Sequence, residues 1–167
     1  METQNAPAYF KSNTGYRFIS KNSRAYQIKI PRPEGGYLYR NLGYLKVGEE
    51  QGLRNAIRER NKLGKELWKG FWHRVVSNWL LLARLPRDLE PKLYNAPDTT
   101  EESTEYRARW TTYEVNGEKE EHCRRYSCAK HGKLGAYSLA KTALQEAHKP
   151  NLSLLAFMGR TPIVKLK

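Results

Sequence analysis

The chain has 167 residues, and 39% of them are hydrophobic, which suffices for one moderate core or two small ones. It contains 30 Lys and Arg against 17 Asp and Glu, so its net charge of +13 favours a polyanionic partner. It shows no apolar run of the roughly 18 residues that span a membrane, no secretory signal pattern and only two cysteines. We therefore expect a cytoplasmic protein without a membrane partner.

The first predicted unit, residues 14–68, follows a polar segment that we expect to be a flexible tail, residues 1–13. In the first part of this unit polar and apolar residues alternate, as in β-strands, and we predict a short strand at residues 18–20 and a longer one at residues 37–44. A further strand is predicted between these two, with its apolar residues at Tyr26, Ile28 and Ile30. The spacing then becomes helical, which predicts three strands followed by one helix. The helical stripe consists of Leu53, Ala56, Ile57, Arg60, Leu63, Gly64 and Leu67.

The segment after this unit, residues 69–98, is too apolar for a free linker. Trp72, Val75 and Trp79 repeat at helical spacing, and Pro86 ends the pattern. We expect a connecting helix that packs on the neighbouring units, followed by a loop that contains prolines and acidic residues.

The second predicted unit, residues 99–149, begins with a strand in which apolar residues alternate with arginines from Tyr106 to Trp110. The pair Asn116-Gly117 suits a tight turn, because both residues tolerate positive φ, and a returning strand follows it. The next apolar residues have helical spacing, so a helix can cover the apolar face of the hairpin while the arginines remain in water. This stripe consists of Ala136, Leu139, Ala140, Ala143, Leu144 and Ala147.

Both units thus have the order strand, strand, strand, helix, if a weak first strand near residues 92–94 is allowed in the second unit. The predicted fold class is α+β, with two small modules that each pack a three-stranded antiparallel sheet on one C-terminal helix. The C-terminal extension, residues 150–167, fits a short helix and an edge strand, or a tail.

The first unit resembles an AP2/ERF DNA-binding domain in the form found in phage and bacterial proteins, and the second unit resembles the same family more loosely. The matching segments of the first unit are Tyr26-Gln27-Ile28-Lys29-Ile30, Asn41-Leu42-Gly43-Tyr44 and the helix that ends with Gly64-Lys65-Glu66-Leu67-Trp68. Those of the second are Tyr106-Arg107-Ala108-Arg109-Trp110, Asn116-Gly117, Arg125-Tyr126-Ser127-Cys128, His131-Gly132 and the alanine-rich helix.

The resemblance implies that the helix packs behind the sheet and that the open sheet face enters the major groove of DNA. Arginine can bond guanine twice, and asparagine or glutamine can bond adenine twice. Residues that alternate out of phase with the apolar positions are the predicted base contacts: Ser20, Asn22, Gln27, Lys29, Tyr39, Asn41, Arg107, Arg109, Thr111, Arg125 and Ser127. Basic residues at strand ends and turns are the predicted phosphate contacts: Arg17, Lys21, Arg24, Arg32 and Arg124.

Sequence-specific binding of double-stranded DNA, as a transcriptional regulator associated with the nucleoid, is the function that we predict. Two alternatives remain. An RNA-binding protein could stack bases on Tyr37 and Tyr39, and an accessory DNA-architecture factor for recombination or phage functions would bind without controlling transcription.

We expect no enzyme, no cofactor and no small-molecule substrate, because the chain has no nucleotide-binding glycine motif and no nucleophile at a strand-turn-helix elbow. His122, Cys123, Cys128 and His131 have the residue types of a zinc site. However, two cysteines five positions apart on a strand point to opposite faces, so we expect no metal.

Overall fold

A computed structural model describes residues 12–95, 104–114 and 117–161. The chain divides into two compact units, Met1–Leu85 and Pro86–Lys167. Within the described residues the fold is α+β, with two three-stranded antiparallel sheets and several helices, so the predicted fold class is confirmed at that level. The predicted tail up to residue 11, the loop at residues 96–103, the turn residue Asn116 and the C-terminal edge strand beyond residue 161 lie outside the described residues.

The sheet of the first unit has the strand order β1-β2-β3, and neighbouring strands are antiparallel. Ile28 is paired with Ile19 on one side and with Arg40 on the other, which puts these three residues on the same face. Ile19, Tyr26, Ile28 and Ile30 are all buried on that face, as their alternation predicts. The strands are β1 (Ile19–Lys21), β2 (Ala25–Pro31) and β3 (Tyr37–Gly43).

Helix α1 (Glu49–Trp68) packs against the buried face of this sheet. Its buried residues recur at every fourth position, which makes one narrow stripe: Gly52, Ala56, Arg60, Gly64 and Trp68. At one end of the helix the Tyr26 hydroxyl donates to the Glu49 carbonyl at 3.2 Å, and at the other end the Trp68 indole N–H donates to the Pro31 carbonyl at 2.9 Å. These two hydrogen bonds fix how the helix lies along β2.

The segment after α1 does not form the single connecting helix that the sequence predicts. A 3₁₀ turn (Lys69–Phe71) is followed by α2 (Trp72–Ser77) and α3 (Leu81–Arg84), and the chain is extended at Asn78 between them. The segment belongs with the first unit, because the Trp72 ring lies 6.0 Å from the Phe18 ring and the Arg17 side chain donates to the Asn78 carbonyl.

The sheet of the second unit has the order β4-β5-β6, again antiparallel. The weak strand near residues 92–94 does form, as β4. Ala108 is fully buried, and the Tyr106 ring meets the Tyr137 ring edge-on with centroids 5.3 Å apart. The strands are β4 (Lys92–Tyr94), β5 (Glu105–Tyr113) and β6 (Lys119–Ser127).

Helix α4 (Cys128–Ala147) covers the face of Ala108 and is kinked at Gly132, whose φ of 69° favours glycine. Its buried residues are Ala136, Ala140, Ala143 and Leu144. A 3₁₀ turn and the short helix α5 (Leu152–Phe157) follow, and Leu154 and Leu155 of α5 are fully buried.

Candidate nucleic-acid interface

Six side chains lie on the face of the first sheet that points away from α1 and make up what we call the open face: Ser20, Gln27, Lys29, Tyr37, Tyr39 and Asn41. Cross-strand pairing places Ser20 and Asn41 on either side of Gln27, and Tyr39 beside Lys29. Directly opposite residues in an antiparallel pair share a face and have Cβ atoms about 5 Å apart, so these polar groups form one continuous patch. The open face thus brings together five predicted base contacts: Ser20, Gln27, Lys29, Tyr39 and Asn41.

The two tyrosines of the open face have 51% and 57% of their surface exposed. Their rings lie 6.2 Å apart, and the Lys29 ammonium lies 4.3 Å from the Tyr37 centroid and 5.6 Å from the Tyr39 centroid. Both rings present polarised π faces to the cation, which holds the ammonium over the sheet. This end of the open face therefore combines a positive charge with two aromatic surfaces.

Asn22, another predicted base contact, lies in the turn after β1 rather than on the open face. Its side-chain oxygen accepts from the backbone N–H of Arg24 at 3.0 Å and of Ala25 at 2.7 Å. The oxygen thus stabilises the β1-β2 turn in the manner typical of asparagine, and the amide cannot offer both of its ends to a base.

Two predicted phosphate contacts of the first unit lie away from the open face and have partners within the protein. Arg17 is only 5% exposed, and its guanidinium lies over the rings of Phe18 and Trp79 while donating to the Asn78 carbonyl. Lys21 pairs across the strands with Tyr26, so it points towards α1, and its ammonium is 2.5 Å from a Glu49 carboxylate oxygen. Arg17 thus bonds to the segment after α1, and Lys21 pairs with α1 at a partly exposed position.

Arg24 and Arg32, the other two predicted phosphate contacts of this unit, are exposed and lie in the turns at opposite ends of β2. Arg40 lies on the buried side of β3, where the sequence gives no reason for a cation. Its side chain is 60% exposed, and its Nε lies 3.7 Å from a Glu59 carboxylate oxygen on α1.

The corresponding face of the second sheet contains basic and acidic residues side by side. Arg107 is paired with Arg125, while Arg109 faces Cys123. Thr111 faces Glu121, and Glu105 faces Ser127, so carboxylates lie among the predicted base contacts. Arg109, Thr111 and Arg125 line a shallow depression together with Glu121.

Arg107 lies on the predicted face, but its guanidinium is held by neighbouring side chains rather than exposed for contact with a base. Its Nε is 2.6 Å from a Glu105 carboxylate oxygen, and its guanidinium lies 3.5 Å from the centroid of the Tyr94 ring. The side chain is 14% exposed. The hydrogen bond to Glu105 raises the pKa of the arginine.

Two further predicted contacts of the second unit have partners within the unit. The Ser127 hydroxyl oxygen accepts from the backbone N–H of Lys130 at 3.3 Å and caps the start of α4. Arg124 is paired with buried Ala108, so it lies on the helix side of the sheet, with its guanidinium 5.6 Å from the Trp110 centroid. Arg124 thus does not lie on the sheet face of the predicted base contacts, and its contact with phosphate stays a prediction.

The positive charge is divided unequally between the units. Met1–Leu85 contains 16 Lys and Arg against 6 Asp and Glu, which gives +10, whereas Pro86–Lys167 contains 14 against 11, which gives +3. A polyanion is therefore attracted mainly by the first unit, which also has the open face without a carboxylate.

Within the described parts of the chain, no three His, Cys, Asp or Glu side chains come together as metal ligands would. None of the helices of the described residues is long and apolar enough to cross a bilayer. Comparison of the chain with protein-family models, curated proteins and solved structures finds no match. The resemblance to the AP2/ERF family thus remains a prediction.

Proposed function

We propose that this protein binds double-stranded DNA sequence-specifically through the open face of the first sheet, and that it regulates transcription in the cytoplasm as part of the nucleoid. The observation that supports this most directly is the composition of the open face. It aligns Ser20, Gln27 and Asn41 across three strands, with Lys29 beside them and no carboxylate among its six residues. Amides of this kind bond adenine twice, and a lysine bonds guanine.

The dimensions and charge of the first unit agree with a major-groove interface. Strands lie about 4.8 Å apart, so three of them span about 10 Å, comparable to the roughly 12 Å width of the groove. Arg24 and Arg32, exposed in turns at opposite ends of β2, would contact phosphates on either side. The activity proposed is binding, without a catalytic step.

In this proposal the two units are tandem AP2-like modules of unequal weight. The second unit contributes Arg109 and Arg125 as candidate base contacts. Its carboxylates at Glu105 and Glu121, and its net charge of +3, make it the weaker module.

The test is selection of binding sites from random duplexes, with matched variants on the two sides of the first unit. Gln27→Ala and Asn41→Ala remove two amides from the open face. The control variants, Gln51→Ala and Asn55→Ala, remove the same residue types from α1, where the Gln51 and Asn55 side chains form a hydrogen bond of 3.1 Å. We expect the open-face variants to relax base preference at one or two positions, by about 1–3 kcal/mol, because alanine cannot form the paired hydrogen bonds to a base. The α1 variants should keep the wild-type preference. Equal behaviour of the two pairs would refute the open face as the source of specificity.

Binding of single-stranded RNA is the second candidate, and the exposed pair Tyr37 and Tyr39 favours it, because RNA-binding sheets stack unpaired bases on such rings. Competition among duplex DNA, single-stranded DNA and RNA separates the two functions. If RNA displaces duplex DNA at equal nucleotide concentration, and Tyr39→Leu abolishes only the RNA complex, RNA is the ligand.

A further inference from the structure

The outer side of helix α1 has a row of cations that the open face does not use. Arg54, Arg58, Lys62 and Lys65, which we call the basic row, are all exposed. At 100° per residue their side chains fall within a sector of about 80°, and at 1.5 Å per residue they extend over about 16 Å. Arg54 pairs with Glu50 at 2.5 Å. No carboxylate of the described residues pairs with Arg58, Lys62 or Lys65.

The basic row ends in a depression where α1 meets the next turn. Lys65, Lys69 and His73 line it, together with Asn61 and the ring of Trp72. The depression thus adds Lys69 and the imidazole of His73 to the row and has no acidic lining residue. An anionic group that follows the row would meet hydrogen-bond donors at its end.

The basic row lies on the far side of the unit from the open face. The buried stripe of α1, centred on Arg60, faces the sheet, and helical geometry places the row about 160° around the axis from it. The helix alone is about 10–12 Å across, and a duplex is stiff over about 150 base pairs. One short duplex bound to the open face therefore does not reach the row.

We propose that the basic row binds the phosphate backbone of a second DNA duplex, so that one chain bridges two duplexes. This inference rests on the proposed binding of a first duplex by the open face. Each strand of a duplex has one phosphate per about 3.4 Å of helix axis, so a duplex that lies against the row brings several negative charges within its length of about 16 Å. Arg58, Lys62 and Lys65, which have no carboxylate partner among the described residues, supply the positive charge. Contacts to phosphates alone make the second site independent of sequence.

The experiment is capture of a labelled random duplex by protein already bound to an immobilised duplex. Arg58→Ala with Lys62→Ala removes two cations of the row without loss of helix propensity. Lys130→Ala with Lys133→Ala is the matched control, since it removes two exposed lysines from the second unit. We expect the row variant to capture at least about tenfold less of the second duplex at low salt, while the first duplex binds with unchanged base preference. The control should capture as the wild type does.

Undiminished capture by the row variant would overturn the inference, and so would an equal loss of both duplexes, because the row would then belong to the first footprint. Sedimentation of the captured complex should give one chain per two duplexes; two chains per two duplexes would assign bridging to self-association instead. If the wild type bridges duplexes but shows no base preference in the selection, the proposed specific function fails while the basic row stands.

Discussion

Arg60 is a cation at a position that helical spacing assigns to the core. It is 2% exposed, its Nη1 donates to the Arg17 carbonyl at 3.1 Å, and its Nε and Nη2 donate to the Asn61 side-chain oxygen at 3.1 and 2.9 Å. A buried guanidinium is tolerated because its donors are satisfied. Arg60 therefore fastens the segment before β1 to the helix.

We predict that Arg60→Leu lowers the free energy of unfolding by about 1.5–3 kcal/mol, because the Arg17 carbonyl loses a charge-assisted hydrogen bond. Arg58→Leu, two residues away on the exposed side, should change it by less than about 0.5 kcal/mol. Urea unfolding of both variants measures the difference. Equal effects would mean that the hydrogen bonds of Arg60 contribute nothing specific.

The same residue types have opposite roles at neighbouring positions of the second sheet. Arg107 is held between Glu105 and Tyr94, whereas Arg109, two residues along the same face, is exposed. The alternation of β5 predicts the face of each arginine but not the partner that it meets there. The Glu105 partner is local, and Tyr94 comes from the weak strand β4.

At the scale of the element, α1 depends on glycines where its neighbours approach closely. A Cβ on Gly64 would lie 2.3–2.4 Å from three atoms of the Trp72 ring, and one on Gly52 would lie 2.4 Å from the Tyr44 Cβ. Gly70, in the following turn, has no atom within 4 Å of such a Cβ. The two buried glycines are thus contact positions for aromatic residues.

We predict that Gly64→Ala destabilises the protein by about 1–3 kcal/mol, although alanine favours helix over glycine, because Trp72 has to move. Gly70→Ala should be close to neutral. Thermal unfolding gives both values, and the near-ultraviolet circular dichroism of tryptophan reports the displacement. A more stable Gly64→Ala variant would show that Trp72 adapts without cost.

The spacing of apolar residues in the sequence predicts most strands and the long helices, but it does not predict which partners the basic side chains contact. The strands and long helices occur where alternation and helical spacing place them, and even β4 forms. Arg17 and Lys21 flank the predicted first strand, and from the sequence we expect both on the surface as phosphate contacts. In the structure Arg17 lies over the rings of Phe18 and Trp79, and Lys21 pairs with Glu49. Leu139 belongs to the predicted stripe of α4 and yet is 42% exposed, since it lies at the margin of the sector that meets the sheet. Such outcomes depend on contacts between segments distant in sequence.

For the whole molecule, the unequal division of charge predicts which unit governs the salt dependence of binding. Removal of each phosphate-binding cation should reduce the slope of log affinity against log salt by about 0.9. Arg24→Ala with Arg32→Ala should therefore reduce the slope by about 1.8 on random duplex DNA, whereas Lys130→Ala with Lys133→Ala should leave it unchanged. Titrations at several salt concentrations measure this. An identical slope in all three proteins would remove both arginines from the interface.

The position of Arg40 also affects how one copy of the chain behaves beside another. β3 is an edge strand of seven residues, and unpaired edges of that length invite strand exchange between molecules and aggregation. Arg40 is its central residue, so two copies that paired antiparallel about the middle of β3 would set arginine directly against arginine. Like charges opposed across strands repel. We therefore expect Arg40, whose place in the alternation is unusual, to disfavour this pairing of two copies through β3.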